Sequence, residues 1–597
     1  MKAEAMTAMK ANENSNIVWK LMFRLLPIQI LLALIGSINS IVSSLFATNF
    51  VGSQAMSAVG FFGPVSMLLG AISTMLVGGS QILCGIYMGK NLVEKMQNVF
   101  SLDQTVSLLV GALFTGFLLL ISLFDLSGFL AGDPEVRPVF NQYLLGQAAG
   151  VLPTILGAQL SAFLSLENKT RRATIASLVC IAVNVAANWL FVLVLHMETL
   201  GLALAASLSM WVFYAIQAEY FVSGKSTLHF SFRHMQWRDS IEIMKIGLPG
   251  AIGYGYMTIR GFVVNTLLIA HVGSVGVSAF STANTLLCFF WAIPSGMLAV
   301  SRMMFSVSAG EEDRQMLTDT MRTALFRFLP VMVGIVAALI ALAVPLTRLY
   351  YRDPADPVYE MTVWGFRILP LCMPLTLICN HFSCFSQVSN KNILVHLLAA
   401  LDGVICVAGF SAFLIPSVGM NGLYYASVLN GVVTTLVILA YAIIRKKKFP
   451  RNTEELMVIP DDFGVPESDR ISLSLTSMEE VIRISQKIQA FCLEKGIDSR
   501  RAYLAGLCME EMAGNVIAHG FTRDTKKHSV DVRVVYKDNG LILRIKDDCV
   551  PFNPRDRQEI VDPEDITKNI GIRMVCDMAD SVSYQSVLGM NVLTITI

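Results

Sequence analysis

Between Ile28 and Ile444 the sequence returns repeatedly to apolar stretches of about 20 residues, such as those around Gly111–Phe124 and Val331–Val344. A stretch of that length crosses the hydrocarbon of a bilayer as a helix, and in lipid the backbone must bond to itself, so helices are forced. The pattern predicts twelve spans, near 25–47, 57–86, 100–124, 140–164, 173–195, 200–222, 243–270, 277–305, 324–347, 362–387, 393–414 and 420–444. Only 15% of the 597 residues are charged, against roughly 25% in a soluble protein. The few charges concentrate after Arg445, where 20-residue apolar runs stop. A net charge of +1 gives no support to a nucleic-acid partner. The eleven cysteines contain no CxxC pair, and Cys180, Cys288 and Cys406 lie inside apolar runs, as small buried residues do. Lys2, Lys10, Lys20 and Arg24 precede a first span too long for a signal peptide, so no cleavable signal is expected.

Short loops set the orientation. One side carries Lys90, Lys95, Lys169, Arg171, Arg172, Lys225, Arg233, Arg238, Arg302, Arg314, Lys391 and the run Arg445–Lys448. The opposite loops near Gly52, His196, Gly273 and Pro416 carry almost none, with Arg348 and Arg352 the exception. The positive-inside rule then predicts a multi-pass protein of the cell membrane with both termini in the cytoplasm.

The halves repeat. Val51-Gly52-Ser53 recurs as Val272-Gly273-Ser274, and Ser57-Ala58 as Ser278-Ala279. Ser80 and Gly89 map to Ser301 and Gly310, Asn168-Lys169 to Asn390-Lys391, and Gly201-Leu202 to Gly422-Leu423. The offset holds at 221 to 222 positions throughout (51→272, 168→390). Six spans per repeat give both halves one orientation, the parallel-repeat arrangement of many secondary transporters. The expected fold is therefore an all-α membrane domain of two six-helix lobes, 18–224 and 240–445. A linker at 446–470 leads to a smaller α+β domain at 471–597.

Asn49-Phe50-Val51-Gly52-Ser53, Ala58-Val59-Gly60, Gly63-Pro64-Val65 and Leu164–Thr170 resemble elements of the multidrug and toxic compound extrusion (MATE) family. The resemblance covers about 25–445 and implies two lobes opening alternately to export organic compounds, driven by Na⁺ or H⁺. Family members often carry an aspartate in the first helix, but Ile38–Thr48 holds only Asn39, Ser40, Ser43, Ser44 and Thr48 as polar residues. The familiar Asn-x-x-x-Asp of the fifth helix reads Asn184 and Asn188, and an asparagine exchanges no proton. Asp402 is then the first transport candidate and Arg260 the second, with Asn184 and Asn188 beside them. A charge within a span costs about 2.5–3.5 kcal/mol, so it faces a cavity or a partner. A paired structural charge is the competing reading, and His381 and His396 lie nearer the span ends.

In the tail, Ile471–Leu475 alternates like a strand, and Ser477 with Glu480 forms a capping box that opens a helix to Glu494. A second helix is expected over 499–519, a hairpin over 530–536 and 541–546 around Asp538-Asn539-Gly540, a helix over 569–579, and strands over 582–586 and 592–597. Glu511, Asn515 and His519 share one helix face. With Asp547-Asp548-Cys549 and Asn569-Ile570-Gly571 following in order, the region resembles the histidine-kinase-like ATP-binding domain, most closely the anti-sigma-factor serine kinases. That resemblance implies ATP with Mg²⁺ as cofactors. Asn515 would hold the metal, Glu511 would act as base, Asp547 would read the adenine amine and Gly571 would admit phosphate. Cys549 stands where a glycine is expected, and the glycine-rich element is reduced to Lys568-Asn569-Ile570-Gly571, so binding without much turnover is expected. Serine/threonine kinase or ATPase activity stays open.

Two functions follow. One is an antiporter of small organic substrates regulated by, or signalling through, its ATP-binding domain; the chain has no P-loop to power transport. The other is a membrane-anchored sensor whose tail phosphorylates or sequesters a regulatory protein.

Overall fold

The computed structural model describes residues 2–129, 136–224, 226–232, 235–351, 353–521, 528, 530–537, 540–554 and 570–597. The positions Lys225, Arg233, Arg352, Asp538, Asn539, Lys568 and Asn569 used above lie outside them. Two compact units divide the chain: the larger is Met22–Glu311 with Gln315–Ile459, and the other is chiefly Pro460–Ile597.

Long helices form where the apolar pattern places spans. They are α1 (Val18–Val51), α2 (Gln54–Gly89), α3 (Val93–Leu123), α4 (Arg137–Leu166), α5 (Thr170–Val194), α6 (Glu198–Val222), α7 (Arg238–His271), α8 (Val275–Gly310), α9 (Arg314–Ala341), α10 (Pro357–Val388), α11 (Asn392–Val418) and α12 (Met420–Lys446). Among the described residues eleven are long and apolar enough to cross a membrane. The twelfth, α7, has 34 residues and is diluted by Arg260 and by charges in its first turns. Leu113, Phe262 and Phe413 are 74%, 72% and 80% exposed; hydrocarbon accepts such side chains and water does not.

The repeat has a backbone cause. Gly52 and Gly273 stand before α2 and α8 at φ 127° and 86°, a region L side chains rarely adopt. Asn168 and Asn390 close α4 and α10 in the left-handed region, at φ 57° and 54°. The next amides, Lys169 and Lys391, turn back to the carbonyls of Leu164 and Ser386, both at 2.8 Å. Each turn also holds the chain that leaves its lobe. Glu167 accepts from Thr227 N at 2.9 Å and Ser226 Oγ at 2.8 Å. Lys391 Nζ donates to the carbonyls of Met457 and Val458 at 2.7 and 2.8 Å, capping the short helix α13 (Thr453–Met457) that follows α12. The lobes meet where α2 lies on α7 and α8. A Cβ at Gly79 would strike the Ile243 carbonyl, one at Gly247 the Met75 carbonyl, and one at Gly310 the Ile86 carbonyl.

The other unit is a five-stranded antiparallel sheet in the order β1-β2-β3-β5-β4. Its strands are β1 (Arg470–Leu475), β2 (Val530–Lys537), β3 (Gly540–Asp547), β4 (Ser581–Val587) and β5 (Met590–Thr596), and its helices α14 (Met478–Glu494), α15 (Ser499–Asn515) and α16 (Ile570–Met578). Ile484, Ile488, Met509 and Met512 form one core with Val532, Leu543, Ile545 and Ile595. The Ser477–Glu480 capping box is formed. The second tail helix does not reach His519 as regular α-helix: Val516–Gly520 widen into a π turn.

Candidate functional site

Each unit holds chemistry-bearing residues in clusters. In the second lobe, α11 is interrupted by a π turn at Leu401–Ile405 that carries Asp402; such turns recur at functional positions. Asn430 Nδ2 on α12 donates to Asp402 Oδ1 at 2.8 Å, and Arg260 Nη1 on α7 donates to the Asp402 carbonyl at 3.3 Å. Asn430 Oδ1 is buried without a hydrogen-bond partner among the described residues. Gly403 permits the close crossing, since a Cβ there would sit 2.5 Å from Tyr256 Cβ. The structure thus brings Asp402 and Arg260 together.

Asn184 and Asn188 lie in the first lobe, away from that pair and bonded to each other, Asn188 Nδ2 donating to Asn184 Oδ1 at 2.6 Å. Asn184 reaches Ser209 Oγ at 3.5 Å, and Asn39 Nδ2 reaches Cys180 Sγ at 3.6 Å. The positions correspond: Asn39, Cys180 and Ser209 stand one repeat before Arg260, Asp402 and Asn430 (39→260, 180→402, 209→430). One polar triad is therefore built twice, neutral in the first lobe and charged in the second.

The sequence reading missed Asn430, although the 221-residue offset from Ser209 would have found it. It also missed Asp103, which is 1% exposed and accepts from Gln104 at 3.2 Å. That reading began the third span at 100 and left Asp103 at its edge. The helix begins at Val93, which sets Asp103 about 15 Å in at 1.5 Å per residue. His381 has both ring nitrogens engaged, with the Leu377 carbonyl at 2.8 Å and Ser301 Oγ at 2.9 Å.

In the tail, Glu511 and Asn515 occupy successive turns of α15. Glu511 lies against Gly571 at the start of α16, where a Cβ would collide with its carboxylate. At the far end of the π turn, a Cβ on Gly520 would sit 3.0 Å from Cys549 Sγ. One helix thus runs from the Gly571 turn past Asn515 to the turn after β3. There Asp547 Oδ1 accepts from Cys549 N at 3.0 Å and from Asn591 Nδ2 at 2.7 Å, and the Cys549 side chain adds a further hydrogen bond to the carboxylate. Burial pushes the Asp547 carboxyl above the usual carboxylate range, against the pull of the hydrogen bonds from Asn591 and from the Cys549 amide and side chain. Asn591 pairs opposite Asp547 across β3 and β5, also donates to the Cys549 carbonyl at 3.0 Å, and is held by Tyr584 OH at 2.8 Å. Nothing in the sequence marked Asn591 out. Its role comes from strand register.

The MatE family model matches residues 29–190 and 251–407, and the model described as histidine kinase-like ATPase domain matches 474–597. Curated relatives include the multidrug export protein MepA of Staphylococcus haemolyticus, 25% identical over 284 residues, covering 46% of this chain and 61% of that protein. Another is the probable multidrug resistance protein NorM of Bacillus licheniformis, 23% identical over 203 residues, covering 31% and 44%. The chain thus spans less than two thirds of either relative. A solved structure described as the outward-facing conformation of a multidrug resistance MATE family transporter superimposes with TM-score 0.67 at 20% identity, covering 72% of this chain and 97% of that one. A crystal structure of MATE in the straight conformation gives 0.66 at 21%, with the same coverage.

Proposed function

The chain belongs to the MatE family, and from that premise we propose that it is an antiporter exporting small organic compounds, regulated by ATP bound to its tail. Both termini then face the cytoplasm, as the basic loops favour. The observation that carries the reading is the charged triad of the second lobe. Asp402 offers a carboxylate, and the unpartnered Asn430 Oδ1 beside it is a hard oxygen donor. Such a pair suits Na⁺, and the carboxylate alone suits H⁺. Arg260 ties α7 to α11 through the Asp402 backbone carbonyl and leaves the carboxylate to the ion, whose charge it would oppose.

The tail's donors fit a Mg²⁺-nucleotide: the Asn515 amide oxygen is a hard ligand, Asp547 offers a carboxylate to an adenine amine, and Gly571 leaves backbone open beside Glu511. Mg²⁺ held by Asn515 would neutralise phosphate charge. Glu511 would be the base that takes a proton from an attacking hydroxyl or water. Cys549 in a glycine's place favours slow turnover. Regulation is supported by Lys391, which holds the linker carbonyls and immediately precedes α11, the helix that carries Asp402.

The test is uptake by proteoliposomes under imposed H⁺ or Na⁺ gradients, with the full chain and with residues 451–597 removed. Gradient-driven uptake by both, ATP-sensitive only in the full chain, is expected. Failure of every gradient to drive uptake would favour the sensor with a regulatory-protein partner, a reading that the neutral triad of the first lobe supports.

A further inference from the structure

Beyond the nucleotide residues, the tail gathers a second set of donors. His528 Nδ1 lies 2.8 Å from Asp548 Oδ1, and with Cys549 Sγ the three ligand atoms all fall within 4.8 Å of one another. The His528 side chain is 3% exposed and that of Asp548 48%, so the set has a fixed wall and a way in from solvent. Asp531 and Asp547 add negative charge next to Asp548.

We propose that His528, Asp548 and Cys549 form a binding site for a borderline divalent transition-metal cation of the Zn²⁺ class, on the turn that carries Asp547. One thiolate, one imidazole and one carboxylate make a three-ligand set that leaves a fourth position to water. The sulfur disfavours Mg²⁺ and Ca²⁺, which take oxygen, and so separates this site from any magnesium at Asn515. Such a cation takes bonds of about 2.0–2.3 Å to its donors, and the three ligand atoms already lie within 4.8 Å of one another. The site has a lever on the nucleotide pocket. The backbone N–H of Cys549 holds Asp547 Oδ1, and its carbonyl is held by Asn591. A cation on Sγ pins the residue that positions Asp547, so metal and nucleotide each raise the other's affinity, and by the same factor. The metal site stands on its own geometry. Only this linkage rests on the ATP-binding reading.

The test titrates Co²⁺ into the metal-free, detergent-purified full chain and follows the thiolate-to-cobalt charge-transfer band. One equivalent should bind with four-coordinate d–d bands, and Zn²⁺ should displace it. Cys549→Ser and His528→Ala should each remove the band, and Cys576→Ser should keep it. Asp548→Asn, a change at a half-exposed position that leaves the fold intact, should weaken cobalt binding at least tenfold. A band that survives Cys549→Ser and Asp548→Asn, or no band in the parent protein, would overturn the site. The second arm measures a fluorescent ATP analogue with and without Zn²⁺. An affinity gain of about fivefold or more, lost in Cys549→Ser, supports the linkage. Unchanged affinity in a chain that shows the cobalt band overturns the linkage alone.

Discussion

The two lobes share a backbone plan down to the φ angles of Gly52 and Gly273 and of Asn168 and Asn390, yet they fill the same three positions with opposite chemistry. Asn39, Cys180 and Ser209 make a buried neutral cluster, whereas Arg260, Asp402 and Asn430 make a charged one with an unsatisfied oxygen. A shared scaffold with unlike polarity separates what the fold requires from what the function requires. The fold requires three side chains that meet across three helices, and an amide, a thiol and a hydroxyl achieve that. Charge at those positions costs stability in a membrane, and its presence in one lobe alone is what supports the proposal that an ion acts there.

The sharpest way to break this comparison is to move the charge. Cys180→Asp puts a carboxylate without a counter-charge at a position with no exposure and is expected to cost about 2.5–3.5 kcal/mol, read as a fall in the unfolding midpoint in detergent. Adding Asn39→Arg should return about 1 kcal/mol or more, because a positive charge then stands near the carboxylate, as Arg260 stands near Asp402 in the second lobe. If the double variant is no more stable than Cys180→Asp alone, the two triads are not equivalent.

The tail offers a buried carboxylate outside the membrane for comparison. Burial pushes Asp531 up to about 6, opposed by the Ser474 hydroxyl and by Lys546. A raised folded-state value means that the stabilisation is complete below the unfolded value near pH 4 and is lost as pH rises through about 6. That loss is on the order of 2–3 kcal/mol. Amides of β1 and β2 should therefore be better protected at pH 5 than at pH 7 after correction for intrinsic exchange, and Asp531→Asn should flatten the difference. Equal protection of the parent at both values would show that burial does not govern this group.

Smaller effects sharpen the contrast. Arg260→Ala strands Asp402 and should cost about 1–3 kcal/mol, while Asn39→Ala should cost about 1 kcal/mol or less. Equal costs would erase the distinction between the triads. Smallest is the linker clasp. Lys391→Met should increase protease nicking of 447–459 by about fivefold, the equivalent of one net hydrogen bond of about 1 kcal/mol, whereas Lys169→Met should not.

Much of this was legible in the sequence, and the exceptions share a cause. Apolar run length gave every long helix, and the Val-Gly-Ser and Asn-Lys matches gave the repeat, because both depend on local backbone demands. The candidates Asp402 and Arg260 followed from the cost of charge in lipid. Asn430 and Asn591 did not, because an asparagine is ordinary until strand register or helix crossing sets it against a carboxylate. Asp103 escaped because a span's edge is read from hydropathy alone, and the helix starts seven residues before the expected 100. The end of α15 escaped because a π turn leaves no compositional trace.

The central claim, that ion coupling resides in the second lobe's triad, is tested most directly by substrate transport in proteoliposomes under an imposed H⁺ or Na⁺ gradient. The protein is compared with Asp402→Asn and with Asn184→Ala. Asp402→Asn keeps shape and hydrogen bonding but removes the charge, so gradient-driven transport should fall to the leak while substrate binding persists. Asn184→Ala should still respond to the gradient. Gradient-driven transport that survives Asp402→Asn and disappears in Asn184→Ala would contradict the account and place coupling in the first lobe.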